Sequence, residues 1–355
     1  MNIYVMNAAL ERIGVIDAYR SIIWTRRYYE PGDFELWIDA TADNLDLSQN
    51  GRFLYRDGDY SEGVLKSVMI IETKQMHTSV EEGNTILLSG RDLKALLHQR
   101  IIWKQSIFSG TVEENVRKAI TDNIISPSIA DRAISNFTLG DALGGTATVK
   151  AQACGENLGE WVSEQLMAYE LGYDVTVSNG NFVFALYKGA DRSFAQSENP
   201  YVIFSPDYEN LLSTEYIVSM AEYKNVALVA GEGEGTAKKT AVAGSGVGLD
   251  RYETYVSASG LSTDAEGGTI SQADYNAQLI SAGMDDLVTH PAEKMFTGEI
   301  QPGINFVYGV DYFLGDKVEI YNEFGIQASS RIIEIIDSED ETGRTVIPTF
   351  NDGGA

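Results

Sequence analysis

Trp24-Thr-Arg-Arg-Tyr-Tyr-Glu-Pro-Gly-Asp-Phe-Glu-Leu-Trp-Ile38 is a strand, a reversal and a second strand, written in order. Aromatic and β-branched residues crowd both ends, and Pro31-Gly32 separates them where the chain must turn. Working outward, segments of similar composition lie at 3–7, 12–17, 19–27, 34–39 and Phe53–Arg56, with Gly14 as a further break. Ala42–Leu47 interrupts them with a short stretch of helical character, and Asp57-Gly58-Asp59 makes a tight turn. Two further strands, 64–79 and 85–89, are joined by the polar turn Glu81-Glu82-Gly83-Asn84. This opening block reads as a small antiparallel barrel or sandwich.

Helical spacing begins at Arg91, where Leu93, Leu96 and Leu97 share one face. Thr111-Val-Glu-Glu114 has the form of a capping box and predicts a helix to about Ile125, ahead of Pro127. A third helix is expected over 157–171, ending at Gly172. A hairpin of 173–178 and 182–187 follows around Asn179-Gly180, a pair suited to the two positive φ angles of a type I′ turn. The β pattern resumes at 201–205, 214–221, 225–230 and 252–258. Between them 231–248, rich in Gly, Ala and Lys, reads as a mobile loop or a long hairpin tip. An amphipathic helix, Gln272–Val288, precedes Pro291, and strands at Glu293–Ile300, Lys317–Tyr321, 327–337 and 345–350 close the chain. The expected division is a first β block at 1–90, an inserted α+β subdomain at 91–195, and a second β block split between 196–265 and 293–355 by a helical insertion at 266–292.

The two β ends resemble each other. Lys66-Ser-Val-Met-Ile-Ile-Glu72 runs into an acidic, glycine-containing turn and a short apolar return, and so does Ser330-Arg-Ile-Ile-Glu-Ile-Ile-Asp337. A Gly-Asp step feeds a strand upstream of each, Gly32-Asp33 and Gly315-Asp316. Two β-hairpins share this much by chance, whereas a true duplication would place two like barrels in one chain.

Composition narrows the function. The 355 residues carry 52 acidic and 26 basic side chains, a formal charge of −26, with 44% hydrophobic and 10% aromatic residues. That core is ample for folding. The charge opposes gripping nucleic acid through phosphates or adhering to an anionic membrane. One cysteine, Cys154, excludes a disulfide framework. Met1-Asn-Ile-Tyr-Val-Met lacks the form of a signal peptide, and no apolar run reaches the roughly 20 residues of a membrane span. A soluble, acidic chain is expected.

Catalytic and ligand signatures are weak throughout. His77, His98 and His290 are scattered, with no metal-ligand spacing. Gly231-Glu-Gly-Glu-Gly places Glu232 and Glu234 where a pyrophosphate would need donors, and no helix follows. Asp57-Gly-Asp-Tyr-Ser-Glu62 lacks the glycine of a calcium loop at its sixth place. Acidic neighbours such as Asp285/Asp286 are expected by number alone among 52 acids. Trp24, Trp37, Trp103 and Trp161 would suit a carbohydrate-binding face, but they lie in apolar patterns and read as core. No catalytic residue, metal site or cofactor is assigned.

The motifs join as a series. The Trp24–Ile38 stretch resembles the opening of the tail-hub family of siphophages and prophages, and Ser89-Gly-Arg-Asp-Leu-Lys-Ala-Leu-Leu-His-Gln-Arg100 resembles its next block. Phe182-Val-Phe-Ala-Leu-Tyr-Lys-Gly-Ala-Asp-Arg-Ser193 is similar again, as are Phe204-Ser-Pro-Asp-Tyr-Glu-Asn-Leu211, Tyr308-Gly-Val-Asp-Tyr-Phe-Leu-Gly-Asp-Lys-Val318 and Val346-Ile-Pro-Thr-Phe350. The matching motif positions are Gly32, Asp33, Arg91, Asp92, Gly189, Asp191, Arg192, Gly315 and Asp316, with a structural role. The resemblance implies a mainly β fold with α+β insertions: two tube-like β-barrels plus smaller accessory subdomains, as in a baseplate hub. It implies a non-enzymatic homotrimer in the virion tail tip, assembled in the bacterial host cytoplasm. Its partners would be the distal tail ring or tail tube protein, the tape-measure protein, and receptor-binding or tip proteins. DNA would pass without specific binding. No fused lysin is expected after the last β block. The competing reading is a carbohydrate-binding or carbohydrate-active β-barrel protein.

Overall fold

In the computed structural model, residues 1–81, 83–265, 268–300 and 304–351 are described. The chain is mainly β and divides into two units. The first draws on Met1–Ala95, Gly172–Tyr216 and the chain from Met295 onward; the second on Leu96–Leu171 and Ile217–Lys294.

The first unit is organised by one large sheet. From Gly343–Asn351 its strands run in the spatial order Gln327–Asp340, Ser21–Arg27, Asp33–Asp39, Gly83–Asp92, Met69–Ser79, Phe53–Arg56, Ile3–Met6 and Arg12–Ile16. Period-two alternation sets the faces: Phe34, Leu36 and Ile38 point into the core, and Glu35 points out. One core gathers Ile22, Trp24, Phe34, Leu36, Ile86 and Leu88. Another gathers Tyr28, Phe204, Tyr312, Ile332, Ile335 and Phe350. Among the described residues no sheet closes into a barrel, so the expected pair of tubes is not what these strands form within one chain. The reason lies in Gln327–Asp340, which has 14 residues. Along one edge it pairs with Lys317–Tyr321 and then with Ser21–Arg27, and along the other with Gly343–Asn351. A strand this long belongs to both halves and lets the sheet run on.

An ion cluster fastens that junction. Asp337 receives Arg56 Nη1 at 2.7 Å and Arg344 Nε at 2.7 Å, and the Arg56 guanidinium lies 4.8 Å from the Trp24 ring centroid. Burial alone would raise the Asp337 carboxyl, but the Arg344 and Arg56 guanidiniums hold it below its ordinary range.

Both hairpins of the suspected repeat form, and each carries one extra residue: the register shifts between Ile71 and Thr73 in one, and between Ile332 and Glu334 in the other. Gly90 is required opposite the first bulge, because a Cβ there would stand 1.9 Å from the Ile70 carbonyl oxygen. The likeness stops at the hairpin. The strand led by Gly32-Asp33 pairs with the second arm of its hairpin, and the strand led by Gly315-Asp316 with the first arm of its own. Glu82 of the first turn lies outside the described residues.

Two local readings change. The strand expected over 64–79 is broken into Val64–Leu65 and Met69–Ser79. Between them Lys66 N donates to the Asp59 carbonyl at 2.9 Å, and Ser67 Oγ accepts from Trp24 Nε1 at 2.8 Å inside the core. The helical spacing from Arg91 is overruled by a strand that continues to Asp92, leaving only the short helix Ala95–His98.

In the second unit the capping box forms as spaced: Thr111 Oγ1 accepts from Glu114 N at 3.2 Å, and Thr111 N donates to Glu114 Oε2 at 2.8 Å. Helix Val112–Ile120 then widens into a π-helical turn, Thr121–Ile125. The segment 231–248 is a hairpin rather than a loose loop, since Thr240–Gly244 pairs antiparallel with Val226–Ala230. Glu232 pins its base, accepting from Lys239 Nζ at 2.6 Å, Thr263 Oγ1 at 2.9 Å and Thr263 N at 3.2 Å. The Lys239 and Thr263 bonds hold its carboxyl down at about 2.

Helices Leu158–Met167 and Gln272–Val288 pack together through acidic faces, with Gln165 Nε2 donating to Asp285 Oδ2 at 3.0 Å. Burial, then Asp285 and Glu160, push Glu164 up to about 7; burial pushes Asp285 up to about 6, with Gln165 opposing. A carboxyl raised on folding binds its proton more tightly in the folded state, so the stabilisation is full at low pH and fades as pH rises through the raised value. Amide exchange, corrected for its intrinsic pH dependence, should therefore show both helices several-fold better protected at pH 5 than at pH 7.5. The double variant Glu164→Gln, Asp285→Asn should lose most of that difference. Equal protection at the two pH values in the unaltered chain would refute it.

Candidate functional site

The motif positions fall at two joints of the first unit. At one, Gly189–Arg192 crosses Gly315-Asp316. Asp316, 2% exposed, accepts from Ala190 N at 2.7 Å, Arg192 Nε at 2.7 Å and Phe313 N at 3.0 Å. Arg192 N in turn donates to the Lys317 carbonyl at 2.7 Å. Asp191 turns to its own loop and accepts from Ser193 N at 2.9 Å. The two backbones touch at the glycines: a Cβ on Gly189 would lie 1.9 Å from Gly315 O. Gly315 has φ +93°, and a Cβ on it would enter the Tyr28 ring at 2.3 Å.

At the other joint, Asp92 caps the turn of the opening stretch. Its Oδ2 accepts from Gly32 N at 2.9 Å and its Oδ1 from Lys94 N at 3.0 Å. A Cβ on Gly32 would meet the Thr25 carbonyl oxygen at 2.1 Å. Burial, reinforced by Asp174 and opposed by Lys94, pushes the Asp92 carboxyl up to about 6. Both joints use one device: a buried aspartate holds a backbone N–H at a turn whose glycine lies against a carbonyl of another segment. Asp33 and Arg91 stand outside it. Asp33 pairs with Arg27 at 2.7 Å, and Arg91 with Glu72, the bulge residue, at 2.7 Å.

The joints are tied by residues that sequence reasoning did not single out. Tyr28 is fully buried, receives Gly189 N at its hydroxyl at 3.4 Å, and sits edge-on to Tyr187. Glycines at 172 and 315 make room for its ring. Arg26 pairs with Asp174 at 3.0 Å, and Lys94 Nζ donates to the Glu30 carbonyl at 3.1 Å. The signal for Tyr28 was its place inside the opening stretch; its glycine neighbours are distant in sequence.

The weaker candidates resolve into structure. His77 stacks on Trp37 with centroids 5.2 Å apart. Asp57 accepts from Asn2 N at 3.1 Å, and Asp59 accepts from Arg56 N at 3.0 Å, so both carboxylates of the calcium-like turn are used locally. Among the described residues no three His, Cys, Asp or Glu side chains gather in a metal-holding arrangement. The described helices include none long and apolar enough to cross a membrane.

Two buried joints within the first unit are what most of the motif positions build. The family described as "Siphovirus ReqiPepy6 Gp37-like protein" matches residues 2–351. The chain belongs to this family. Its fold is shared with solved tail proteins. The tail protein from Neisseria meningitidis MC58 is 14% identical with a TM-score of 0.56, covering 98% of this chain and 95% of that one. The 43 kDa tail protein of prophage MuSo2 from Shewanella oneidensis is 14% identical with a TM-score of 0.59, covering 99% of each. The prophage tail protein gp18 from Listeria monocytogenes EGD-e is 12% identical with a TM-score of 0.55, covering 99% and 94%. At such identities the likeness is one of fold. No curated protein matches the chain in sequence. The tail-family resemblance read from the motifs thus stands for this chain, and the fold is mainly β.

Proposed function

We propose that this Gp37-like protein is a structural, non-catalytic hub at the distal tail tip of the virion. In this reading it assembles as a homotrimer in the host cytoplasm, joining the sixfold tail tube or distal tail ring to the host-facing receptor-binding and tip proteins. The observation that carries it is the match over almost the full length, both to the family and to solved tail proteins. Two cores on one continuous sheet give each chain two β halves, and three chains would supply six wall segments to meet a sixfold ring. The tube-like character expected from the sequence then belongs to the assembly, where neighbouring copies complete each wall. Gly32, Asp92, Gly189, Arg192, Gly315 and Asp316 serve in this reading as the joints that keep the two halves in register.

The charge fits the same reading. A channel lined with part of the 52 carboxylates would repel the phosphate backbone and let DNA pass, with the tape-measure protein, without sticking. Native mass measurement and electron images of the purified full chain test the proposal. A three-chain ring with a central opening is expected. A stable monomer across micromolar concentrations would overturn the trimer, and a basic lumen would overturn the channel.

A further inference from the structure

Four tryptophans read as core in the sequence, and the fold separates one of them from the rest. Trp24 and Trp161 are 0% and 5% exposed, and Trp37 is partly buried against His77. Trp103 is 50% exposed. It lines a cleft of about 400 Å³ in the second unit, with Gln105, Lys118, Asp122, Ser126 and Ser128.

The backbone that carries the indole is anchored, and a cation stands by the ring. Trp103 N donates to Asn123 Oδ1 at 3.1 Å, and Asn123, 3% exposed, is fixed by its own donation to the Ala119 carbonyl at 2.9 Å. The Arg132 guanidinium stands 4.9 Å from the ring centroid and is anchored on the Ile101 carbonyl at 2.7 Å. Asn123 and Asp122 both lie on the π-helical turn, closed by Ser126 N donating to the Thr121 carbonyl at 2.8 Å. Such turns add one residue to the helical circuit, re-aim the side chains that follow, and concentrate at functional sites. Here the turn sends Asn123 inward to hold Trp103 and leaves Asp122 at the cleft, where it pairs with Lys118 at 2.5 Å.

A half-exposed indole on an anchored backbone, beside an amide, two serine hydroxyls and an ion pair, matches the chemistry of a pyranose ring. The aromatic face takes the apolar C–H side of the sugar, and the surrounding donors and acceptors take its hydroxyls. A protein-docking surface would instead present a continuous apolar patch. We propose that this cleft binds a pyranose saccharide, laid on Trp103 and hydrogen-bonded by the Lys118–Asp122 pair and its neighbours. The inference is independent of the hub reading, because it concerns the second unit alone and needs no particular assembly.

Titration of the full chain with chitotetraose, maltotetraose and an oligogalacturonate, read by tryptophan fluorescence and calorimetry, tests it. A neutral oligosaccharide should bind, Trp103→Ala should weaken it at least about tenfold, and Trp103→Phe should keep part of the affinity. Asp122→Asn should weaken the same ligand without touching the ring. Melting temperatures of the variants should match the unaltered chain. Three results would overturn the proposal: no response to any probe at millimolar concentration, binding indifferent to Trp103→Ala, or binding of the anionic probe alone that salt abolishes.

Discussion

Asp316→Ala should destabilise the first unit by about 3–5 kcal/mol, the range for removing one partner of a buried, hydrogen-bonded ion pair. The substitution strands three donors at once: the Arg192 guanidinium, Ala190 N and Phe313 N, all within 3.0 Å of the carboxylate. Arg192 is itself largely buried, its side chain 14% exposed, so water cannot readily replace the lost partner. Asp316→Asn keeps the shape and one acceptor oxygen, and its loss should be smaller, about 1.5–3 kcal/mol. Asp33→Ala supplies the contrast. Its pair with Arg27 is also 2.7 Å long, but its side chain is 45% exposed, and such pairs contribute about 0–1 kcal/mol. Urea unfolding followed by amide exchange in Lys317–Tyr321 would rank the three variants. If Asp316→Ala and Asp33→Ala proved equal, the Gly189–Asp316 joint would not hold the halves together.

Local chemistry was legible in the sequence, and long-range pairing was not. The capping box at Thr111 and the Asn179-Gly180 turn, with φ of +49° and +74°, are encoded within four residues and form as read. So does Gln272–Val288, whose amphipathic spacing needs only one partner face. The apolar spacing at Leu93, Leu96 and Leu97 placed the helix start too early, because the strand runs on through Asp92, which pairs with Met69 and donates its backbone N–H to the Gly32 carbonyl far back in the sequence. The open sheet was hidden for a similar reason. Gln327–Asp340 pairs with Ser21–Arg27 across some three hundred residues of sequence, and nothing in either strand names the other. The motif residues were visible as a set, but the two joints they form depend on Tyr28 and Gly172, which the fold alone gathers. Trp103 shows the converse limit: an apolar neighbourhood in sequence placed it in a core, while the fold leaves it 50% exposed.

Gly189→Ala should be nearly as damaging as Asp316→Ala, about 3 kcal/mol, at the upper end for inserting a methyl into a packed site. The added Cβ would stand 1.9 Å from Gly315 O, 2.0 Å from Gly315 C and 2.4 Å from Asp316 N. All three are backbone atoms, so no rotamer change relieves the contact, and the two segments must separate. Separation lengthens the bonds that Asp316 makes to Ala190 N and Arg192, which links the two variants physically. The double variant should therefore lose less than the sum of the singles, with a coupling of about 1–3 kcal/mol. Gly58→Ala is the control: no atom lies within 4 Å of its Cβ position, and the change should stay within about 0.5 kcal/mol. Additive losses in the double variant would mean that Gly189 and Asp316 act at separate places. A Gly189→Ala protein as stable as Gly58→Ala would mean that the segments part freely. Either result would leave Gly189-x-Asp191-Arg192 without the joint that its geometry describes.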